Sequence, residues 1–452
     1  MTRPAFRLLS AEPSTPGGAV SEHAAVRRLL QRVGLGARPG ETDAAARNGF
    51  DVTLTGLMSP AGRDAGVAAT PPPGLAPLER RAGKNDADAR TEQRQEATKQ
   101  TAQLGTWWLD RMAAVDEPLP ERMTWFWHGH FATSAQKVRY PPLMLAQNET
   151  LRRLGRGDFR TLAQAMIIDP AMLVWLDGGG NRVGRPNENL AREFMELFTL
   201  GVGHYTEDDV RQAARALTGW RVDFRTGAAT QDPRDHDAAP KTVLGTTAPY
   251  DAAGLTDLLV TRPASPTFLA GRIWRRLVSD TPPSTSTLDR LVAAYGPGHD
   301  VTALVRAIAG SEEFRSAESV LVRPPVDWLV GALRALRLTA SALKQQTLTS
   351  GLRDLGQIPL RPPDVGGWPS GPPWLSTAAA LARLQVAREL ARTADLSPIT
   401  DEPRPGRVEA TAALLGLDGF GSRTTSALAP LAGRPPDLVA AALASPENTV
   451  SA

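Results

Sequence analysis

At 452 residues the chain is longer than one hydrophobic core usually serves, so roughly two to four structural units are expected, and its 42% apolar and 22% charged residues suit a globular protein with a sizeable core. A formal charge of +3, with acids interleaved among basic residues that are nearly all arginine, argues against the clustered basic element of a nucleic-acid binder. No cysteine is present, which excludes disulfides, thiolate nucleophiles and cysteine-bound metals, and no apolar run approaches the roughly 20 residues of a membrane span.

The N-terminal stretch MTRPAFRLLSAEPSTPGG has neither an apolar core nor twin arginines ahead of one, so a cytoplasmic chain is the expectation. Helical periodicity then dominates. In SEHAAVRRLLQRVGLG, Ala25, Leu29, Leu30 and Val33 share a face, with Ser21 as cap and Gly34 as stop. Ser59–Pro77 reads as a linker by its Pro, Gly and Ala content. Leu78–Met112 reads as one long helix, polar at first and apolar only towards Leu104, Trp107, Trp108 and Met112, so its polar half is an exposed or docking segment. From Pro118 to Trp220 helices follow closely. LPERMTWFWHGHF has Pro120 in its first turn, and YPPLMLAQNETLRRLG ends at Gly155. Two helices start at the caps Asp158 and Asp169, and another runs from Asn187 to Leu200. In YTEDDVRQAARALTGW, Thr206 and Asp209 have capping-box spacing and Gly219 ends the helix.

Between Arg221 and Gly245 the alternating pieces RVDF and KTVLG predict a small hairpin. Helices return with SPTFLAGRIWRRLVSD and continue through PVDWLVGALRALRL. A Pro/Gly-rich insertion spans Arg361–Ser376, TAAALARLQVARELART is helical, and short helices fill the tail from Leu396. The expected fold is mainly α: a multi-helix globular protein with a minor β-hairpin or irregular insertion near 221–245. Its expected parts are an N-terminal helical segment and linker (1–75), a central helical domain (76–220), a second helical region with irregular loops (221–395) and a C-terminal helical tail (396–452).

Four stretches carry candidate chemistry. At roughly 100° per residue, Asn189, Arg192, Glu193 and Glu196 fall on one arc of PNENLAREFMELFTLG, opposite Leu190, Phe194, Leu197 and Phe198. Two carboxylates one turn apart can ligate a cation or raise one another's pKa for acid–base work. Equally, the arc can be a solvated face on which Arg192 pairs with Glu188 or Glu196. In WFWHGHF, His128 and His130 would share a face on a strand and could bind one metal; on a regular helix they lie about 200° apart unless Gly129 ends it. The plainer reading is two core histidines bonded to backbone. In RDHDAAPK, Asp235 and Asp237 flank His236, and a carboxylate there can orient the imidazole or simply be solvated. In DVGGWPSGPPWLS, Trp368 and Trp374 can stack on a flat ligand or cap a core. No Walker phosphate loop, GxSxG elbow, HExxH or strand-borne GxGxxG occurs.

In order, RRLLQRVGLGARP, MTWFWHGHFATSAQKV, LRRLGRGDFRTLAQAMIIDPAMLVWLD, PNENLAREFMELFTLGVGHYTEDDVRQAARALTGW, HDAAPKTVLG, FLAGRIWRRLVSD and PPDVGGWPSGPPWLS resemble the bacterial domain-of-unknown-function 1800 family, from about Ala24 to about Arg392. Arg28 stands where that family often has histidine, so no role of that histidine carries over. The resemblance implies export signals in many members. It also implies a partner from the domain-of-unknown-function 1501 family, whose genes often lie adjacent. His128, His130, Asn189, Arg192, Glu193, Glu196, His236, Asp237, Trp368 and Trp374 match signature positions, which favours a site over helix packing alone.

The expectation is therefore an enzyme, a hydrolase ahead of an oxidoreductase, with its site in the central helical domain. Glu193, Glu196, Arg192 and Asp237 are the expected catalytic groups. His128, His130 and His236 are the expected ligands of any divalent metal, with Zn, Mn or Fe favoured by a mixed His and carboxylate set, and Asn189, Trp368 and Trp374 are expected against substrate. The alternative is a non-catalytic helical scaffold or partner-binding protein whose polar motifs are buried networks that fix helix register.

Overall fold

The computed structural model describes residues 18–59, 62–76 and 87–452. Among these, twenty-five α-helices and three two-stranded sheets make the protein mainly α. The expected caps form. Ser21 accepts from the Ala24 N–H at 3.2 Å, Asp158 from Arg160 at 2.9 Å and Asp169 from Met172 at 2.9 Å, and Thr206 and Asp209 bond reciprocally. Of the long helix, Ala87–Ala114 is described; its expected start, Leu78–Asp86, lies outside the described residues. Its C-terminal half buries Leu104, Trp107, Trp108 and Met112. The linker holds one short helix, Ala65–Ala69.

The single hairpin expected near 221–245 is two. Trp220–Asp223 pairs with Ala228–Gln231, and Lys241–Val243 with Thr246–Ala248. Each alternating piece finds its partner across its own tight turn. A third sheet joins Leu321–Val322 to Val450–Ser451, tying the end of the chain to its middle.

Two apolar cores organise the helices, and the helix Leu119–His130 lies between them. Trp125 belongs to the core around Trp108, Trp328 and Leu390, whereas Trp127 and Phe131 belong to the core around Leu29, Phe159 and Phe198. A helix apolar on every side has no stable place except inside. Its N-terminal charges are buried with it and are paired. Glu121 accepts from Arg111 (2.8 Å), Arg152 (2.5 Å) and the Trp108 indole (2.9 Å). Burial pushes the Glu121 carboxyl up, but Arg152 and Arg111 outweigh it and hold it below the usual range. Arg122 donates to Gly34 O and to Asp327, both at 2.8 Å.

The Pro/Gly-rich insertion closes over the end of this helix. Trp368 stacks on Trp125, with ring centroids 5.0 Å apart and planes inclined by 25°. Trp374 is 4% exposed and donates its indole N–H to Pro369 O at 3.0 Å, so it anchors the insertion from beneath. Gly367 has φ +86°, and a Cβ there would come within 2.2 Å of Gly129 O; a Cβ on Gly129 would meet its nearest neighbour, Trp368, at 3.8 Å. The close approach is one-sided. Gly367→Ala is expected to cost about 2 kcal/mol or more, combining left-handed strain with the clash, whereas Gly129→Ala should stay within about 1 kcal/mol of wild type. Urea denaturation midpoints of the two variants check this.

Candidate functional site

The helix bearing PNENLAREFMELFTLG is not regular. Asn189–Glu193 is α-helical, and Phe194–Thr199 then winds as a π-helix, with Leu200 N–H reaching back to Met195 O at 2.9 Å. The wider turn redistributes the polar arc. Arg192 bridges Glu188 (3.0 Å) and Glu207 (2.7 Å), not Glu196. Glu196 instead accepts from the Tyr205 hydroxyl. Among the described residues the Glu193 side chain has neither a hydrogen bond nor an ion pair; burial raises its carboxyl pKa, and Glu196 and Asp364 add to the rise against Arg192. Asn189 bonds backbone: its Nδ2 donates to Leu176 O at 3.3 Å, and its own N–H is held by Asn187 Oδ1 at 3.0 Å. Asn181 fixes this turn from below, accepting from Asn187 N–H (2.9 Å) and donating to Ala214 O (2.8 Å). Much of the motif's polarity thus satisfies backbone at an irregular helix start.

The three expected histidine ligands are not brought together. Both His128 and His130 lie on the helix Leu119–His130, which Gly129 does not interrupt, so they face different cores. His128 sits among Trp108, Trp125 and Trp368, with ring centroids 5.4, 6.1 and 5.4 Å away. His130 is packed among phenylalanines, and its Nε2 donates to Phe198 O, 3.0 Å away, a carbonyl of the π-helix. Burial lowers both imidazole pKa values to about 3, and nearby Arg272 adds to this at His130. His236 lies in the loop between the two hairpins, its Nδ1 within hydrogen-bond distance of both Gln231 Nε2 (3.0 Å) and the Thr218 carbonyl oxygen (3.1 Å). Beside it, Asp237 pairs with Arg215 at 2.7 Å, which depresses its carboxyl pKa, while the Asp237 backbone carbonyl receives Lys241 Nζ. Among the described residues, no three His, Asp or Glu side chains converge as a metal site would require.

The structure does assemble a cleft of about 190 Å³ beside His130. The helix Leu119–His130 contributes Trp125, Phe126, Gly129 and His130, and the insertion contributes Trp368 and Ser370. The helix Ala264–Leu277 brings Arg272, Arg275 and Arg276, and Gln357 closes the base. No carboxylate is among the described residues that line it. Arg276 reaches Asp327 at 3.3 Å; among the described residues Arg272 and Arg275 have no ion pair, and burial followed by repulsion from Arg275 lowers the Arg272 pKa. Gln357 is 1% exposed and its Oε1 accepts from Val326 N–H at 2.8 Å, so its Nε2 is the free end and has no protein partner. Trp368 Nε1 has none either.

Of the expected site residues, His130 and Trp368 line this cleft; Glu193, Glu196, Arg192, Asp237, His128, His236, Asn189 and Trp374 do not. Sequence reasoning missed the three arginines and Gln357. The signal was present in RIWRR: Arg272, Arg275 and Arg276 are spaced i, i+3, i+4 on one helix face with no acid among them.

Two predictions follow from these environments. Glu193 is repelled by Glu196 one turn away, so Glu193→Gln should stabilise the protein by a few tenths of a kcal/mol at pH 8. The raised carboxyl pKa means that the wild type loses stability relative to the variant as pH rises through it, so the gap should close on acidification; Tm measured across pH 4–8 checks both. The lowered His128 pKa acts oppositely. Its contribution is complete above the unfolded value near 6.5 and is lost as pH falls towards about 3. In His128→Phe, the dependence of unfolding free energy on pH between 6 and 4 should be shallower by up to about 1.4 kcal/mol per pH unit.

No curated protein and no solved structure was found to match the chain. A family model described as "Protein of unknown function (DUF1800)" matches residues 28–450. That span takes in the π-helix, every residue of the cleft and both cores except Ala25 and Val26, and the chain belongs to this family.

Proposed function

We propose that the protein binds an anionic group, the phosphate, sulfate or carboxylate of its ligand, in the cleft between the helices Leu119–His130 and Ala264–Leu277. The observation that carries this reading is the surplus of donors. Three arginines, Gln357 and Trp368 line the same space, the Gln357 amide nitrogen and the Trp368 indole nitrogen are buried without a protein partner among the described residues, and of the three guanidiniums only Arg276 has an ion pair there, with Asp327. Guanidinium groups only donate, and charge-assisted bonds to an oxyanion are the strong ones. Trp368 and Phe126 add flat apolar walls, which suit the organic part of a ligand whose charged end meets the arginines.

A second reading keeps the enzyme expected from the sequence and rests on Glu193. An unpaired carboxyl with a raised pKa, at the junction of an α-helix and a π-helix, is suited to proton transfer. The scaffold alternative draws on the Asn181–Asn187–Asn189 and Arg215–Asp237–Lys241 networks, which hold backbone in place.

Titration calorimetry with sodium phosphate, sodium sulfate and sodium citrate against matched sodium chloride tests the cleft. At least one of the three anions should bind with saturation beyond the chloride control. Arg272→Gln and Arg275→Gln should each weaken that binding by about 10-fold or more, the effect of losing one charge-assisted bond. Equal heats for chloride and all three anions, or unchanged affinity in both variants, would overturn it.

A further inference from the structure

We infer that the cleft selects an oxyanion that carries a proton, a phosphoryl group with a P–OH, over a fully deprotonated one such as sulfate. This rests on the anion-binding reading above and goes further by assigning His130 as the specificity-determining residue.

The assignment comes from the two ring nitrogens. Phe198 O can only accept, so the His130 nitrogen 3.0 Å from it must carry the ring proton. The neutral ring then has a bare lone pair on Nδ1. That atom is buried and has no protein partner, and the residue lines the cleft. An imidazolium would remove this acceptor, but none forms near neutral pH. The ring is enclosed by Phe126, Phe131, Phe159, Phe198, Phe268 and Trp127, which bring no charge, and the arginine helix beside it brings only cations. Its pKa is accordingly lowered to about 3, by burial first and by Arg272 second.

Arg276 already donates to Asp327, but among the described residues the N–H groups of Arg272, Arg275, Gln357 Nε2 and Trp368 Nε1 need an acceptor from the ligand. His130 Nδ1 needs the opposite. Ser370 gives its hydroxyl proton to Asp280 at 2.9 Å, so its oxygen offers lone pairs as well. A ligand complementary to this wall accepts several hydrogen bonds on anionic oxygens and donates one. Sulfate has no proton to donate near neutral pH and would place a charged oxygen against a lone pair. Inorganic phosphate retains at least one hydroxyl at every pH between about 5 and 8. A phosphomonoester retains one only below its second pKa, near 6. Leaving a buried acceptor unpaired is costly, so the mismatch should be legible in affinity.

The test is calorimetry on the full chain with three probes: sodium phosphate, sodium sulfate and glycerol 2-phosphate. At pH 7 inorganic phosphate should bind at least about tenfold more tightly than sulfate. Glycerol 2-phosphate should lose about tenfold in affinity between pH 5 and pH 8, whereas sulfate should not change. His130→Phe keeps the arginines and should bring phosphate and sulfate to parity without abolishing either. The two wild-type measurements decide the matter if that variant fails to fold. Equal wild-type affinity for phosphate and sulfate would overturn the His130 assignment while leaving the anion cleft intact. Binding of none of the three probes would remove the anion reading beneath it.

Discussion

The structure depends on burying one helix, Leu119–His130, between two cores, with only Pro120, Phe126 and Gly129 partly exposed. Its aromatic residues divide between two cores, with Trp125 in one and Trp127 and Phe131 in the other. Such a helix cannot be displaced without opening both cores. Its buried charges tighten the constraint. Removing either Arg111 or Arg152 would leave Glu121 with a weaker counter-charge in a dry setting, which costs more than a surface pair could ever contribute. The helix therefore acts as a fixed axle, and the functional elements are placed relative to it: the π-helix through His130, the insertion through Trp125 and Gly129, and the arginine helix across the cleft.

The π-helix has a mechanical reason in this setting. Winding Phe194–Thr199 more loosely puts Phe198 O where His130 can bond it, and the bond satisfies a carbonyl near a helix end that would otherwise lack a partner. It also fixes the imidazole tautomer. A regular helix would carry Phe198 to another azimuth and leave both groups unsatisfied. The same loosening separates Arg192 from Glu196, which lets Arg192 tie the helix start to Glu207 at the start of the helix that follows. One local irregularity thus serves a histidine's chemistry and a helix junction together.

The parts of this fold legible in the sequence were those decided within a few residues. Caps at Ser21, Asp158, Asp169 and Thr206, and the amphipathic runs after them, need only local spacing. The hairpins were partly legible: alternation marked RVDF and KTVLG as strands but could not say that each would pair across its own turn. The site was harder. A wheel drawn at a uniform 100° grouped Glu193 with Glu196 and Arg192, and a π-helix breaks that wheel without a distinctive residue to announce it. The cleft combines His130, Arg272, Gln357 and Trp368, residues separated by up to some 240 positions, and no periodicity reports such a meeting. His128 shows the converse. Its aromatic neighbours in sequence matched a buried imidazole, and burial in a tryptophan cage is what the structure contains.

The arginines are held at a cost that bears on function. Among the described residues Asp327 is the one carboxylate within ion-pair range of Arg276, and Arg122 already pairs with it at 2.8 Å. Burial, partly offset by Asp327 and then reinforced by Arg122, lowers the Arg276 pKa; Arg272, lacking a carboxylate altogether, is lowered by burial and by Arg275. At Arg272 and Arg276 the surroundings therefore disfavour the charged form. A packing role would be met better by leucine or methionine at these positions. An anion in the cleft adds the opposite charge that Arg272 lacks. The surplus cations, the two buried N–H groups without partners and the single bare imidazole nitrogen then become one arrangement: a wall that is incomplete as protein and complete around a protonated oxyanion.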